Sequence, residues 1–201
     1  MARAEAELRK LDVRHALLDA GIATFLDGGF AATSVGDIVQ RAGVPKGSFY
    51  YYFDSKDALA CESVDRFVGF DGEARQRLLH GPDRPIARLR AYFAGYAAAF
   101  ESAGFRTGCL LGILGLELAT ANAPVAARIR SAIDEWADVL GTVIDAARSA
   151  GEIAAPQPAA TLARVLISAW EGALLRMRLE QSAEPLREFQ TILLDAVLQT
   201  I

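Results

Sequence analysis

The sequence predicts an all-α chain in two parts: three helices over residues 1–54 that enclose a helix-turn-helix, then a six-helix bundle over residues 55–201. Three observations lead there. Apolar residues recur at helical spacing almost throughout, and runs of alternating apolar and polar residues are missing. Alanine, the residue that loses least on entering a helix, is enriched along the chain. Glycine and proline stand between the periodic stretches, where helices stop and start.

The first helix runs from about Ala4 to Asp27, with Leu11, Leu18, Ile22 and Phe25 on one stripe. Gly28–Gly29 ends it, because glycine accepts the left-handed conformation that follows many helices. The second starts near Ser34 and carries Val35, Ile38, Val39 and Ala42 at i, i+3, i+4 and i+7. Gly43 supplies a left-handed turn residue, and the third helix covers Lys46–Phe53. Asp54 and Ser55 are N-cap candidates for a long fourth helix to about Leu79, stopped by Gly81–Pro82. A fifth spans Pro85 to Ser102, with Ile86, Leu89, Phe93, Tyr96 and Phe100 on one side, and Gly104 closes it. The sixth is short and glycine-laced, roughly Cys109–Thr120; the seventh runs from Pro124 to Gly151. Pro156 and Pro158 mark a loop before the eighth, Ala159–Leu179, and the ninth, Pro185–Thr200.

A chain of 201 residues with 52% hydrophobic and 23% charged residues can bury a real core and is not disordered. Its mean hydropathy is +0.21, yet its apolar runs are short: Cys109–Leu116 stops at Glu117, well short of a membrane span. The N-terminal MARAEAELRK carries charges where a secretory signal would be apolar, so the expected compartment is the cytoplasm. Cys61 and Cys109 cannot form a disulfide framework, and His15 and His80 lie near neither, so no metal site is expected. No nucleophile elbow, Walker loop or dinucleotide fingerprint is present, and no cofactor is expected. A cofactor-free enzyme using Glu171 or Cys109 stands as a remote alternative, but no base–nucleophile pair can be assembled around either residue.

The net charge is −4, which gives no general attraction to nucleic acid. Its distribution is uneven. Residues 1–56 hold seven basic and seven acidic side chains, whereas the rest hold fourteen and eighteen. All three lysines, Lys10, Lys46 and Lys56, fall in the first part. A DNA partner would therefore be met by the first quarter of the chain. Arg3, Arg9 and Lys10 offer a weak basic arm, though Glu5 and Glu7 among them favour an ordinary solvated helix face.

The second and third helices, with Gly43 between them, form the helix-turn-helix. Its third helix needs a packed inner face and an outer face that can enter a major groove. On a helical wheel Phe49 and Phe53 coincide and, with Val44, point inward. Gly47, Tyr50 and Tyr51 point the opposite way, flanked by Lys46 and Ser48, while Tyr52 lies beside the inner face. Phenol hydroxyls, a lysine and a glycine that permits close backbone approach suit phosphates and base edges.

From Arg14 to Leu59 the stretch RHALLDAGIATFLDGGFAATSVGDIVQRAGVPKGSFYYYFDSKDAL resembles the DNA-binding domain of the TetR/AcrR family of transcriptional repressors. The matching residues are the Leu-Asp-Ala helix ending in Gly-Phe, then Thr-Ser-Val, Ala-Gly-Val, Lys-Gly and the tyrosine pair before Phe, Ser and Lys. The resemblance implies a phosphate contact from Thr33 and Ser34, by hydroxyl and backbone N–H, and further phosphate contacts from Lys46, Tyr50 and Lys56. It puts Gly47, Ser48 and Tyr51 nearest the base edges. Two positions depart from the pattern: Gly36 replaces a polar residue that can reach DNA, and Pro45 replaces the Ser or Thr cap of the recognition helix.

Specific reading of a palindromic double-stranded DNA operator needs a homodimer, whose two recognition helices lie about 34–36 Å apart. The eighth helix carries a stripe of Leu162, Val165, Leu166, Ala169, Trp170, Ala173, Leu174 and Met177, and the ninth adds Leu186, Phe189, Ile192, Leu193 and Val197. The stripe is wider than one packing seam, and the family dimerises through these two helices, so a homodimer is expected there.

The family also holds a small-molecule effector inside this bundle. Tyr92, Phe93, Tyr96, Trp136 and Trp170 are the aromatic candidates to line that site, with Phe100 beside them; each is equally a core residue. Glu117 and Glu171 interrupt apolar stretches, and either pairs with an arginine or reaches solvent. Cys109 follows Gly108 at a helix start, with Arg106 nearby, and both features favour the reactive thiolate. The VPKGSFY and GCL strings are similar to a subgroup of the family that responds to reactive electrophiles and acrylate-like compounds, which implies Cys109 as the sensing thiol. Two alternatives remain open at this level: an inert, buried Cys109, and release by a bulky apolar ligand held non-covalently.

Overall fold

The structure, a computed structural model, describes the backbone of residues 2–199 and the side chains of residues 11–199. The side chains of Arg3, Arg9 and Lys10 lie outside the described residues. No β-strand occurs among the described residues, in line with the predicted all-α class. The chain forms two compact units, Met1–Gly69 with Leu110–Ala132, and Phe70–Cys109 with Ile133–Ile201.

The first unit contains α1 (Ala2–Gly28), α2 (Val35–Ala42), α3 (Lys46–Tyr52), α4 (Lys56–Phe70) and α7 (Leu110–Leu118), with the opening turns of α8 (Ala123–Ser149). Gly29 leaves α1 with φ of 81°. Ser34 caps α2 by a capping box: its hydroxyl accepts from the Asp37 amide, while Asp37 accepts from the Ser34 backbone N–H. Gly43 closes α2 in the left-handed conformation (φ 67°, ψ 29°), and its N–H returns to the carbonyls of Gln40 and Val39. Pro45 starts α3 with φ of −60° and no side-chain cap, as its ring pre-sets the dihedral but brings no acceptor. Leu17, Phe25, Ile38, Phe49 and Leu59 are fully buried, so α1 to α4 share one core. Leu11, assigned to the apolar stripe of the first helix, is instead exposed, and Leu17 takes the inward place. Gly21 lets α1 and α4 approach, since a Cβ there would lie 2.4 Å from Leu59.

The second unit holds α5 (Gly72–His80), α6 (Pro85–Ser102), the rest of α8, α9 (Ala159–Glu180) and a C-terminal segment of α10 (Glu184–Glu188), a π-helical turn (Phe189–Leu193) and α11 (Leu194–Leu198). Its core interleaves Leu89, Phe93, Leu140, Ile144, Leu166, Trp170, Met177 and Phe189. Buried Glu152 takes the Ile86 amide at 2.8 Å and Arg84 Nε at 2.7 Å, so a carboxylate from beyond α8 closes the start of α6.

Two predicted helices are not continuous. The long fourth helix breaks at Asp71 into α4 and α5. The Asp71 carboxylate accepts from Tyr92 Oη at 2.9 Å, from Tyr96 Oη and from Arg75 Nε at 2.9 Å. These partners hold Asp71 as the residue between two helices, in a stretch where Gly69 and Gly72 already weaken helical continuity. The ninth helix passes through the π turn, where the Leu194 N–H reaches back to Phe189 O.

Candidate functional site

The α2–α3 motif sorts its side chains by face. Phe49 and Phe53 are buried with ring centroids 5.7 Å apart. One step round the same helix, Tyr50 and Tyr51 are 59% and 65% exposed, although buried aromatic surface is what normally stabilises a fold. Lys46 and Gly47 are exposed beside them, Ser48 is half-buried, and Tyr52 stands edge-on to Tyr51 at 4.8 Å. Adding a Cβ at Gly47 meets nothing within 4 Å, so that side of α3 is open to an approaching backbone or base.

At the start of α2 the side-chain donors have partners inside the protein. Thr33 is buried; its hydroxyl donates to Gly29 O at 2.7 Å and its backbone N–H to Phe30 O at 3.2 Å. Ser34 donates both its N–H (2.8 Å) and its hydroxyl (2.6 Å) to Asp37 Oδ2, and these bonds hold the Asp37 carboxyl below the usual range. Both residues therefore use their donors inside the protein. The leading amides of α2, those of Val35 and Gly36, have no intrahelical acceptor to use.

Lys56, at the first position of α4, donates to Phe30 O and Thr33 O, each at 2.7 Å, and its Nζ lies 4.0 Å from the centre of the Phe30 ring. Three donors on the ammonium leave one beyond these two bonds. From α7, Glu117 accepts from the Phe30 N–H at 2.8 Å and the Ala31 N–H at 2.7 Å. Its partners are thus backbone amides of the turn after α1. Further along the same unit, Asn122 donates to Asp57 and Arg128 pairs with Asp65, tying the segment after α7 to α4. No sequence pattern links these residues; only the interrupting carboxylate of Glu117 in LGLELA marked one of them.

In the second unit Tyr92, Phe93, Trp136 and Trp170 are buried in one cluster, with Tyr96 and Cys109 packed against it. The rings of Phe93, Trp170 and Phe189 interlock with centroids 4.8–5.1 Å apart. Burial pushes the Tyr92 and Tyr96 hydroxyls well above the usual phenol range, helped at Tyr92 by the neighbouring Tyr96 and then Asp71, and at Tyr96 by its hydrogen bond to Asp71, so both remain protonated donors to Asp71. Burial likewise raises the Glu171 carboxyl, against the lowering effect of its hydrogen bond with the Cys109 thiol. Glu171 Oε1 and Trp136 Nε1 are buried without a hydrogen-bond partner. Such atoms cost stability unless something else satisfies them. Among the described residues no group of His, Cys, Asp and Glu could hold a metal ion, and no helix is long and apolar enough to cross a membrane.

An outward-facing aromatic and basic helix in a helix-turn-helix, followed by a helical body, is the arrangement of a DNA-binding regulator. Residues 17–62 match the family described as bacterial regulatory proteins, tetR family, and residues 85–193 match the tetracyclin repressor-like C-terminal domain. The chain is 31% identical over 192 residues to the HTH-type transcriptional repressor DhaR of Mycobacterium sp. (strain GP1), covering 95% of each chain. It is 32% identical over 174 residues to the transcriptional regulator AcuR of Cereibacter sphaeroides, covering 86% of this chain and 80% of that one. A crystal structure of a regulatory protein TetR from Rhodobacter sphaeroides superposes with a TM-score of 0.83 at 30% identity, covering 87% of this chain and 93% of that one. The chain belongs to the tetR family of bacterial transcriptional regulators.

Proposed function

We propose that this chain is a cytoplasmic transcriptional repressor that binds a palindromic operator as a homodimer and leaves it when a small molecule engages the helical body. The observation that carries the reading is the exposure of Tyr50 and Tyr51 beside Lys46 and Gly47 on a helix whose opposite face, Phe49 and Phe53, is buried. Lys46 and Tyr50 contact phosphates; Gly47, Ser48 and Tyr51 lie nearest the base edges. Thr33 and Ser34 hold the start of α2 so that its leading amides face a phosphate, and Lys56 has one donor left for the same backbone. Residues 1–54 act as the reading domain and 55–201 as the effector and dimerisation bundle.

Dimerisation uses α9 and the α10–α11 segment. Leu179 and Ile192 are 75% and 65% exposed there, with Val165 and Leu175 also outward, while Leu166, Trp170 and Met177 of the same helix α9 are spent in the core. The width of the apolar stripe is thus divided between an inner face and an outer one that a partner can cover.

The effector is an electrophile that alkylates Cys109, within reach of Tyr92, Phe93, Tyr96, Trp136, Trp170 and Glu171. The hydrogen bond between Cys109 and Glu171 supports this, because the carboxylate is an acceptor for the thiol proton as the sulfur attacks.

A footprint of the purified protein on the DNA upstream of its own gene tests the first part. A two-fold symmetric protected site is expected, and an asymmetric or monomeric footprint overturns the dimeric reading. Treatment with N-ethylmaleimide followed by mass spectrometry tests the second. An adduct at Cys109 with loss of the footprint is expected; a Cys109→Ser protein that still loses its footprint rules the thiol out and leaves a non-covalent effector.

A further inference from the structure

We infer that Glu117 is a positioning residue for operator binding, acting as a clasp that holds the turn before the helix-turn-helix in its DNA-reading form. This rests on the DNA-binding reading above, since positioning has meaning only if α2 and α3 meet an operator. The turn between Gly29 and Ser34 is short and carries no regular structure, yet it sets where α2 begins. Its backbone is held from two sides. Glu117 of α7 takes the amides of Phe30 and Ala31, at 2.8 and 2.7 Å, and Lys56 of α4 takes the carbonyls of Phe30 and Thr33. The Phe30–Ala31 peptide is thus gripped at its N–H by a carboxylate and at its C=O by an ammonium.

Gly29 supplies an independent sign that the clasp is built into this sequence. Its φ of 81° already favours glycine, and a Cβ there would lie 2.3 Å from Glu117 Oε1. The turn therefore favours glycine by its φ, and a Cβ there would push the approaching carboxylate away. Two neighbouring amides converging on one carboxylate form a charge-assisted pair that a neutral side chain cannot reproduce, because an amide side chain presents one acceptor and one donor. Glu117 sits on the helix that directly follows Cys109 in the chain.

The test uses the full-length protein and an operator selected by the unaltered protein from random double-stranded DNA. Operator affinity by fluorescence anisotropy, dimer state by sedimentation and amide exchange at residues 30 and 31 are compared for Glu117→Gln, Glu117→Asp and Gly29→Ala. Glu117→Gln is expected to expose the two amides to exchange and to weaken operator binding by about tenfold, the scale of one charge-assisted hydrogen bond lost. The salt slope should not change, because no phosphate contact is removed. Glu117→Asp, which keeps the charge, should recover part of the affinity, and Gly29→Ala should reproduce the loss from the opposite side. Affinity within about twofold of the unaltered protein in Glu117→Gln, with the amides exposed, overturns the positioning role, because a lost bond of this class would show. Unchanged exchange at residues 30 and 31 overturns the clasp itself. If the unaltered protein selects no DNA, the DNA-binding reading fails visibly and first, and the positioning role falls with it.

Discussion

The ammonium of Lys56 lies 2.7 Å from the carbonyl oxygen of Thr33, and Thr33 in turn donates its hydroxyl to Gly29 O at the same distance. Together they splint the turn that delivers the chain from α1 to α2, so a lysine and a threonine that a family pattern assigns to DNA also carry the geometry of the reading head. Replacing Lys56 by Met leaves two carbonyls without their donor and should cost about 1–3 kcal/mol of stability, read from urea denaturation. Operator affinity should fall as well. A salt slope lowered by about 0.9 would assign the remaining donor to a phosphate, whereas an unchanged slope would assign the whole effect to the turn.

Lys46 and Tyr50 should behave in the opposite way. Both are exposed, and the Tyr50 ring stands edge-to-face with Phe49, centroids 5.3 Å apart. Lys46→Ala and Tyr50→Phe should therefore leave the melting temperature within about 2 °C, since surface changes of this kind cost little. Lys46→Ala should weaken operator binding and lower the salt slope by about 0.9 if the ammonium neutralises one phosphate. Unchanged affinity in both variants would remove α3 from the DNA contact.

Glu171 makes stability depend on pH. Burial raises its folded pKa above the unfolded value, so the native state binds the extra proton. Below the unfolded pKa the carboxyl is neutral in both states and carries no penalty. As pH rises through the folded pKa the native protein must hold a buried charge, and stability falls. Glu171→Gln should flatten this slope and stabilise the protein at neutral pH, measured by denaturation at a series of pH values. A slope identical in the variant would mean that Glu171 is charged at no cost.

Asp71 gathers three donors, Tyr92, Tyr96 and Arg75, at the break between α4 and α5. Asp71→Asn should cost about 2 kcal/mol, because it removes the charge that the arginine faces and turns one acceptor into a donor opposite a phenol. Calorimetric melting checks this. A variant as stable as the parent would show that the helix break stands on the flanking glycines alone.

The outer face of α9 offers a simple test of assembly. Leu175→Arg places a charge on an exposed apolar face and should leave the monomer folded. Sedimentation should then show dissociation, and binding to a two-fold operator should be lost. A dimer that survives the change would move the interface elsewhere.

Much of the head was legible in the chain. Ser34, Gly43 and Pro45 carry their conformations in their own chemistry: a hydroxyl that caps, a residue without a Cβ, a ring that sets φ. The inward Phe49 and the outward Tyr50 and Tyr51 follow from helical spacing alone. The break at Asp71 was not legible, because its cause lies with two hydroxyls more than twenty residues away on α6.

The local code of this sequence determined the all-helical class, the boundaries of α2, α3, α6 and α9, and which face of the recognition helix looks outward, because each depends on interactions within a few residues. Tertiary structure alone decided that residues 110–132 pack in one compact unit with residues 1–69. It decided too that Glu117 and Lys56 grip one turn from opposite sides, and that Cys109 meets Glu171. Those pairings span from 23 to 87 residues. Their energies depend on distance and burial, neither of which a pattern of residue types contains.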